Sequence, residues 1–98
     1  MKQHITKQQW DELSEEQKKI LWEAIHPHHP QPEYSRIHLG YLIEFLGEDL
    51  YYMRLTKFGY WDVTFHVIED EEEGLRMKSG ELCDALFAAV KYKLETKA

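Results

Sequence analysis

The sequence predicts an α+β fold in which about four helices pack on a small antiparallel sheet with a central β-hairpin. Apolar residues recur at helical spacing towards both ends of the chain, whereas the middle alternates and is rich in aromatic and β-branched residues. The 98 residues are 43% hydrophobic and 31% charged, which is typical of a globular protein. We therefore expect a single domain over residues 1–98, with one modest core.

Two helices in quick succession are predicted near the start of the chain. Thr6 and Ser14 are each followed three residues later by a glutamine, and this spacing is that of a capping box. We expect helices over about residues 7–13 and 15–25, and a single helix bent near Ser14 is the alternative. The apolar side of the second helix is predicted to consist of Ile20, Leu21, Ala24 and Ile25.

A stiff connector and a third helix follow. The segment 26–32 holds three histidines and three prolines, and a residue before proline is driven away from helical geometry. The third helix is predicted over about residues 36–46, with Ser35 as its N-cap and Gly47 as its stop. Its apolar face is predicted to contain Leu39, Leu42, Ile43 and Leu46.

The middle of the chain predicts a hairpin. Strands are expected over about residues 50–56 and 60–68, and Gly59 suits the turn between them. Residues 75–78 predict a short third strand, since a hairpin alone is only marginally stable. The second strand is predicted to bury Trp61, Val63, Phe65 and Val67 and to place Asp62, Thr64 and His66 on a wetter face.

The chain ends in a predicted helix over about residues 80–95. Ser79 is a suitable N-cap, and acidic residues at the start with lysines at the end suit the helix dipole. The buried stripe of this helix is predicted to contain Leu82, Ala85, Leu86, Ala89, Val90 and Leu94.

Charge and composition exclude several classes of function. Twelve basic and 18 acidic residues give a net charge of −6, so binding of a nucleic-acid backbone is disfavoured. The acidic run 69–73 predicts either a solvated loop or a docking feature for a basic protein partner. No membrane-spanning run or signal peptide is recognisable, and the single cysteine cannot form an internal disulfide, so a cytoplasmic protein is expected.

The histidines of the connector raise the question of a metal site. In an extended segment His26 and His28 point to one side and His29 to the other, and two ligands do not make a zinc site. A third ligand would have to come from His38 or Cys83. We expect no metal site, no cofactor and no catalytic residue, and a metal-dependent or minor enzymatic factor using this segment is the alternative.

Cys83 is expected to be a packed cysteine. A position near a helix N-terminus lowers a thiol pKa, but Glu81 and Asp84 flank this cysteine and oppose that effect.

Aromatic residues are concentrated in the predicted hairpin. Tyr51, Tyr52, Tyr60 and Trp61 are more than one face can bury, and exposed Tyr and Trp are enriched in protein interfaces. An interaction surface is therefore one hypothesis, and ordinary packing is the other.

Three blocks, "HITKQQWDELSEEQKKIL", "LIEFLGEDLY" and "ELCDALFAAVKYKLE", together resemble a group of small uncharacterised proteins encoded by phages and prophages of low-GC Gram-positive bacteria. The resemblance covers roughly half of the chain, and the histidine-proline segment departs from it. It implies a phage-linked origin and transfers no functional residues. The leading hypothesis is a small non-enzymatic protein-interaction domain, with an unidentified protein partner and an unknown oligomeric state.

Overall fold

The computed structural model describes residues 2–29, 31–66 and 75–97, and these contain four α-helices and a three-stranded antiparallel sheet. The predicted α+β class is thereby confirmed, including the central hairpin. The acidic run 69–73, Pro30, and the predicted continuation of the second strand at 67–68 lie outside the described residues. The elements are α1 (Lys7–Asp11), α2 (Glu15–Ile25), α3 (Leu39–Leu46), β1 (Leu50–Leu55), β2 (Trp61–Phe65), β3 (Leu75–Ser79) and α4 (Leu82–Lys97).

The two predicted capping boxes are present, and they separate α1 from α2. The Thr6 hydroxyl accepts the Gln9 N–H at 3.1 Å, and the Ser14 hydroxyl accepts the Gln17 N–H at 3.1 Å. Helix α1 ends at Asp11, earlier than the predicted residue 13, because the chain turns there into the second cap.

Helix α2 is rotated relative to the predicted apolar side. Leu21 and Trp22 are buried, whereas Ile20 and Ala24 are exposed. The tryptophan decides this orientation, because its large ring is only 3% exposed and its indole N–H donates to the His29 carbonyl at 2.7 Å.

The third helix begins at Leu39, so the prediction of a start at 36 and a cap at Ser35 was wrong. Residues 34–36 form a 3-10 turn, and the next residues are extended. They pair with the N-terminal segment: the Ile5 N–H donates to the Ile37 carbonyl at 3.2 Å, and the Leu39 N–H donates to the Gln3 carbonyl at 3.0 Å. Both isoleucines are fully buried, so tertiary pairing prevails over the local cap. Gly47 ends α3 with a φ of 52°, as predicted for a glycine stop.

Strand β2 lies in the middle of the sheet, between β1 and β3. Val63 is directly opposite Met53 on one side and Met77 on the other. Helix α4 packs against β2 and β3, and the core lies between this helix, α2, α3 and the sheet.

The predicted stripe of α4 is confirmed, since all six of its residues are buried. The helix runs from Leu82 to Lys97 rather than from 80 to 95, so the prediction of Ser79 as its N-cap was wrong. The Ser79 hydroxyl instead accepts the Glu81 N–H at 3.2 Å in the turn just before the helix. Further along, the Lys93 ammonium donates to the last carbonyls of α3 and pairs with Asp49 at 3.0 Å, which fastens α4 to the C-terminus of α3. Among the described residues, no helix combines the length and apolar character that crossing a membrane requires.

Candidate interaction surface

The hairpin of β1 and β2 carries most of the exposed large hydrophobic side chains of the described residues. There are six such side chains, and five of them lie in β1 and the turn after it: Tyr51, Tyr52, Met53, Leu55 and Phe58. The last is 75% exposed. Single exposed apolar residues are ordinary, but a contiguous group marks a binding surface or an association hazard.

Strand β1 is exposed on both of its faces. Met53 and Leu55 are opposite Val63 and Trp61, so they belong to the face that α4 covers elsewhere in the sheet. They nevertheless remain 36% and 58% exposed, because α4 packs mainly against β2 and β3. Tyr52 points to the opposite face and is 45% exposed.

The sheet face opposite α4 is polar and carries several cations. We call it the outer sheet face. The strand register and alternation assign to it Tyr52, Arg54, Tyr60, Asp62, Thr64, Arg76 and Lys78.

Asp62 is at the centre of this face, and it has no solvent-accessible surface. The prediction that Asp62 and Thr64 would lie on a more solvent-exposed face was therefore wrong. They lie on a central strand, and the long cationic side chains of both neighbouring strands cover them. Arg76 of β3 holds the carboxylate through two hydrogen bonds, and Arg54 of β1 is 3.9 Å away.

These contacts shift the titration of Asp62. The hydrogen bonds from Arg76 lower the pKa of this carboxyl below its usual value, and the charges of Arg76, Arg54 and Lys78 act in the same direction. Desolvation acts in the opposite direction and raises this pKa, but the effect of the Arg76 hydrogen bonds is larger. The same ion pair raises the pKa of Arg76.

The outer sheet face is cationic on a chain whose net charge is −6. Arg54, Arg76 and Lys78 contribute three positive charges, and Asp62 offsets one of them. Two of the cations lie over aromatic rings: Arg54 is 6.0 Å from the Tyr52 ring centre, and Lys78 is 5.7 Å from that of Tyr60. The surface therefore combines positive charge with flat apolar rings.

The hairpin end adds a shallow depression next to this face. Its volume is about 350 Å³, and it is lined by Arg54, Leu55, Thr56, Lys57, Phe58 and Tyr60. Gly59 closes the turn with a φ of 87°, as predicted for a glycine. The Phe58 and Tyr60 rings are nearly parallel, with ring centres 6.4 Å apart.

The predicted aromatic excess divides into two groups. Tyr51 and Tyr52 are 61% and 45% exposed, whereas Tyr60 and Trp61 are half-buried. Tyr51 occupies a β-bulge and stacks on His66 with ring centres 4.3 Å apart. Two of the four aromatics are thus available to a partner.

The connector histidines form part of an aromatic cluster. The His26 ring is 4.5 Å from Trp22 and 4.6 Å from Tyr41, and its Nε2 lies 3.1 Å from the Arg36 carbonyl. The His29 ring is 5.5 Å from that of His26, and both His28 and His29 are exposed.

Two further histidines lie beside Tyr41 and Tyr34. The His4 and His38 rings are 6.3 Å apart, and the two residues are paired through their backbones. Within residues 2–29, 31–66 and 75–97, no group of three or more His, Cys, Asp or Glu side chains is placed to hold a metal ion. The position of His26 is explained by its packing against aromatic rings and its contact with a backbone carbonyl.

Cys83 is fully buried in the core. Burial raises the pKa of its thiol to about 11, and Asp84 and Glu81 act in the same direction. A thiol with this pKa is protonated at neutral pH and is a poor nucleophile, which agrees with the prediction of a packed cysteine.

Sequence inspection missed the cationic character of the outer sheet face. Arg54 is far from Arg76 and Lys78 in the sequence, and only strand pairing brings the three cations around Asp62. A signal existed in the alternation of Arg76 and Lys78 with apolar residues in "LRMK", which a firmer assignment of the third strand would have exposed.

The chain matches no protein-family model, and neither a curated protein nor a solved structure is significantly similar to it.

Proposed function

We propose that this chain is a small non-enzymatic protein-interaction domain that binds its partner through the outer sheet face and the adjoining hairpin end. The observation that carries the proposal is that Tyr52 on this face, with Leu55 and Phe58 at the hairpin end, is exposed beside three cations. Tyrosine and arginine are the residue types that contribute most to binding energy in protein interfaces.

The partner segment that suits this surface is acidic and carries an apolar or aromatic anchor. Arg54 and Lys78 are at the surface and can donate hydrogen bonds to carboxylates, while the depression beside Phe58 is large enough for one apolar side chain. This differs from the hypothesis of a basic partner, which depends on the acidic run 69–73 outside the described residues. Opposite charges at the rim of an interface mainly accelerate association.

Two other classes of function, nucleic-acid binding and metal-dependent activity, receive less support. Aromatic and basic residues on a sheet are also used by single-stranded nucleic-acid binders, but the net charge of −6 repels a phosphate backbone over distances of about 8–10 Å at physiological salt. A metal-dependent factor would need a set of ligands, and the described histidines do not converge on one point.

The resemblance to phage-encoded proteins supports, as part of the proposal, a role inside a bacterial host cell. The three blocks that carry it coincide with α1 and α2, with the end of α3 and the start of β1, and with α4. They therefore cover the helical scaffold and leave out β2 and β3, which form most of the outer sheet face. The proposed binding surface consequently comes from the structure and not from the resemblance.

The test compares two double variants of the full chain. Tyr52→Ser with Lys78→Glu changes the outer sheet face, and Ile20→Ser with Lys19→Glu makes the same kinds of change on the exposed side of α2. Immobilised parent and variants are exposed to a lysate of a low-GC Gram-positive bacterium treated with nuclease, and the retained proteins are identified by mass spectrometry.

We expect an acidic protein that the parent and the α2 variant retain and that the sheet variant loses. Its binding should weaken as salt rises, since exposed charges are screened. Retention by the sheet variant, or retention only when nuclease is omitted, would contradict the proposal.

A further inference from the structure

Among the described residues, the backbone groups on the outer edge of β1 have no hydrogen-bond partner. The Thr56 N–H donates to the Tyr60 carbonyl at 2.8 Å, and hydrogen-bonded and non-bonded pairs alternate along an antiparallel ladder. Arg54 and Tyr52 therefore use their backbone groups to bond β2. Met53 and Leu55 direct theirs away from β2, where the described residues provide no further strand.

This edge also lacks most of the features that prevent the edge strands of a sheet from pairing with other molecules. Natural edges are usually protected by proline, by several charges, by short strands or by a covering element. Strand β1 has six residues, contains no proline and bears a single charge, on Arg54. The bulge at Tyr51 interrupts the edge only at its start.

We propose that a second copy of this chain pairs with β1, antiparallel, about a twofold axis at Met53. In this register Met53 is opposite its own equivalent, and Arg54 of each copy is opposite Tyr52 of the other. A guanidinium next to a tyrosine ring is a favourable cross-strand pair. The contact is isologous, so both copies contribute the same residues.

Charge complementarity favours this register over the symmetric registers centred on the two neighbouring residues. An axis at Arg54 would place the two arginines opposite each other, and an axis at Tyr52 would place each arginine opposite Leu50. Beyond the strands, the axis at Met53 also brings Lys57 of one copy near Glu48 of the other. Glu48 and Lys57 are both exposed, so they are accessible to a second copy.

The area available predicts a weak dimer. At about 200 Å² for an aromatic side chain, Tyr51 and Tyr52, which are 61% and 45% exposed, offer about 200 Å² per chain. Met53, Arg54 and Leu55 add to this area, but the total for the pair stays below the roughly 1,200 Å² of stable complexes. Association should therefore appear at high protein concentration.

Pairing would join the two sheets into one of six strands and would place two outer sheet faces side by side. An acidic partner with two binding segments could then engage both copies. The inference itself does not depend on the proposed function, because it rests on the backbone groups at the edge of β1. The two surfaces share Tyr52 and Arg54, and Lys57 lines the depression at the hairpin end. Glu48 lies outside both parts of the proposed partner site, so Glu48→Lys tests dimerisation separately from partner binding. Dimerisation can fail while the partner still binds, and the reverse also holds.

The experiment uses charge reversal at the ends of the pairing. Sedimentation velocity is measured on the full chain over a concentration series reaching about 1 mM, the range suited to a small interface. Lys57→Glu alone and Glu48→Lys alone each bring like charges together at both ends of a symmetric dimer. Each change should weaken association by about tenfold, as expected for two exposed pairs.

An equimolar mixture of the two variants separates this register from other modes of association. A mixed dimer has opposite charges at both ends, so the mixture should associate about as well as the parent, whereas neither variant should do so alone. Lys7→Glu and Glu95→Lys are matched controls on exposed helix positions and should behave like the parent.

Hydrogen exchange gives a second readout. The amides of Met53 and Leu55 should become protected as the parent concentration rises, while those of β3 should not change. A parent that stays monomeric throughout, a mixture that associates no better than its components, or amides indifferent to concentration would overturn the inference.

Discussion

Strands β3 and β1 are the two edge strands of one sheet, yet they differ in how far the rest of the fold covers them. On β3, Leu75 and Met77 are half-buried beneath α4, and Arg76 and Lys78 project from the other face. On β1, every residue after Leu50 is exposed. One edge is thus covered and charged, and the other is open and largely apolar.

The comparison shows that an edge position alone does not determine how a strand is protected. A single helix, α4, is wide enough to cover two strands of the sheet, and the remaining strand depends on its backbone bonds to β2. Charged side chains on β3 disfavour pairing with a strand of another molecule, whereas β1 carries only one charged side chain, that of an arginine. We expect β1 to be both the least stabilised strand and the one open to association.

The largest effect is expected from a matched pair of leucine substitutions. Leu86 is fully buried on α4, and Leu55 is 58% exposed on β1. Leu86→Ala should lower the free energy of unfolding by about 2–5 kcal/mol, since it leaves a cavity, and Leu55→Ala should lower it by less than about 0.5 kcal/mol, as surface changes do. Urea unfolding followed by circular dichroism measures both losses. Equal losses would mean that the exposed strand β1 contributes as much to stability as the core beneath α4, which would contradict the comparison.

An intermediate effect is expected from the two arginines that flank Asp62. Arg76 of β3 bonds the carboxylate twice, and Arg54 of β1 only approaches it. Arg76→Gln should therefore destabilise the fold more than Arg54→Gln, although less than Leu86→Ala. A larger loss from Arg54→Gln would mean that β1 and not β3 holds the central carboxylate.

The pH dependence of this pair follows from the lowered pKa of Asp62. A carboxyl with a lowered folded-state pKa stabilises the fold at pH values above its ordinary value of about 4, and this stabilisation disappears as the pH falls through the folded-state value. The difference in unfolding free energy between the parent and Arg76→Gln should be constant from neutral pH to about pH 5 and should shrink below it. A difference that persists at low pH would assign the loss to packing of the arginine stem.

The smallest effect is expected at a surface away from both edges, which provides a baseline for the comparison. Changing His26, His28 and His29 together to Gln should alter the free energy of unfolding by less than about 1 kcal/mol, mostly through the contacts of His26 with Trp22 and Tyr41. A chelator should leave the unfolding curve of the parent unchanged. Stoichiometric zinc that disappears in the variant would instead establish a metal site.

Local patterns in the sequence determined most of the helical scaffold. The boxes at Thr6 and Ser14, the stripe of α4 and the glycines at 47 and 59 were all predicted, because each depends on residues within about one turn of one another. Alternation along β2 likewise predicted that Val63 and Phe65 face the core.

Contacts between distant segments decided the remainder. The N-terminal segment pairs with residues 37–39 and delays the start of α3, and Trp22 rotates α2 towards the connector. Strand pairing closes cations over Asp62, and the width of α4 leaves β1 uncovered. No local pattern encodes these outcomes, because each depends on the free energy of burying surfaces that meet only in the folded chain.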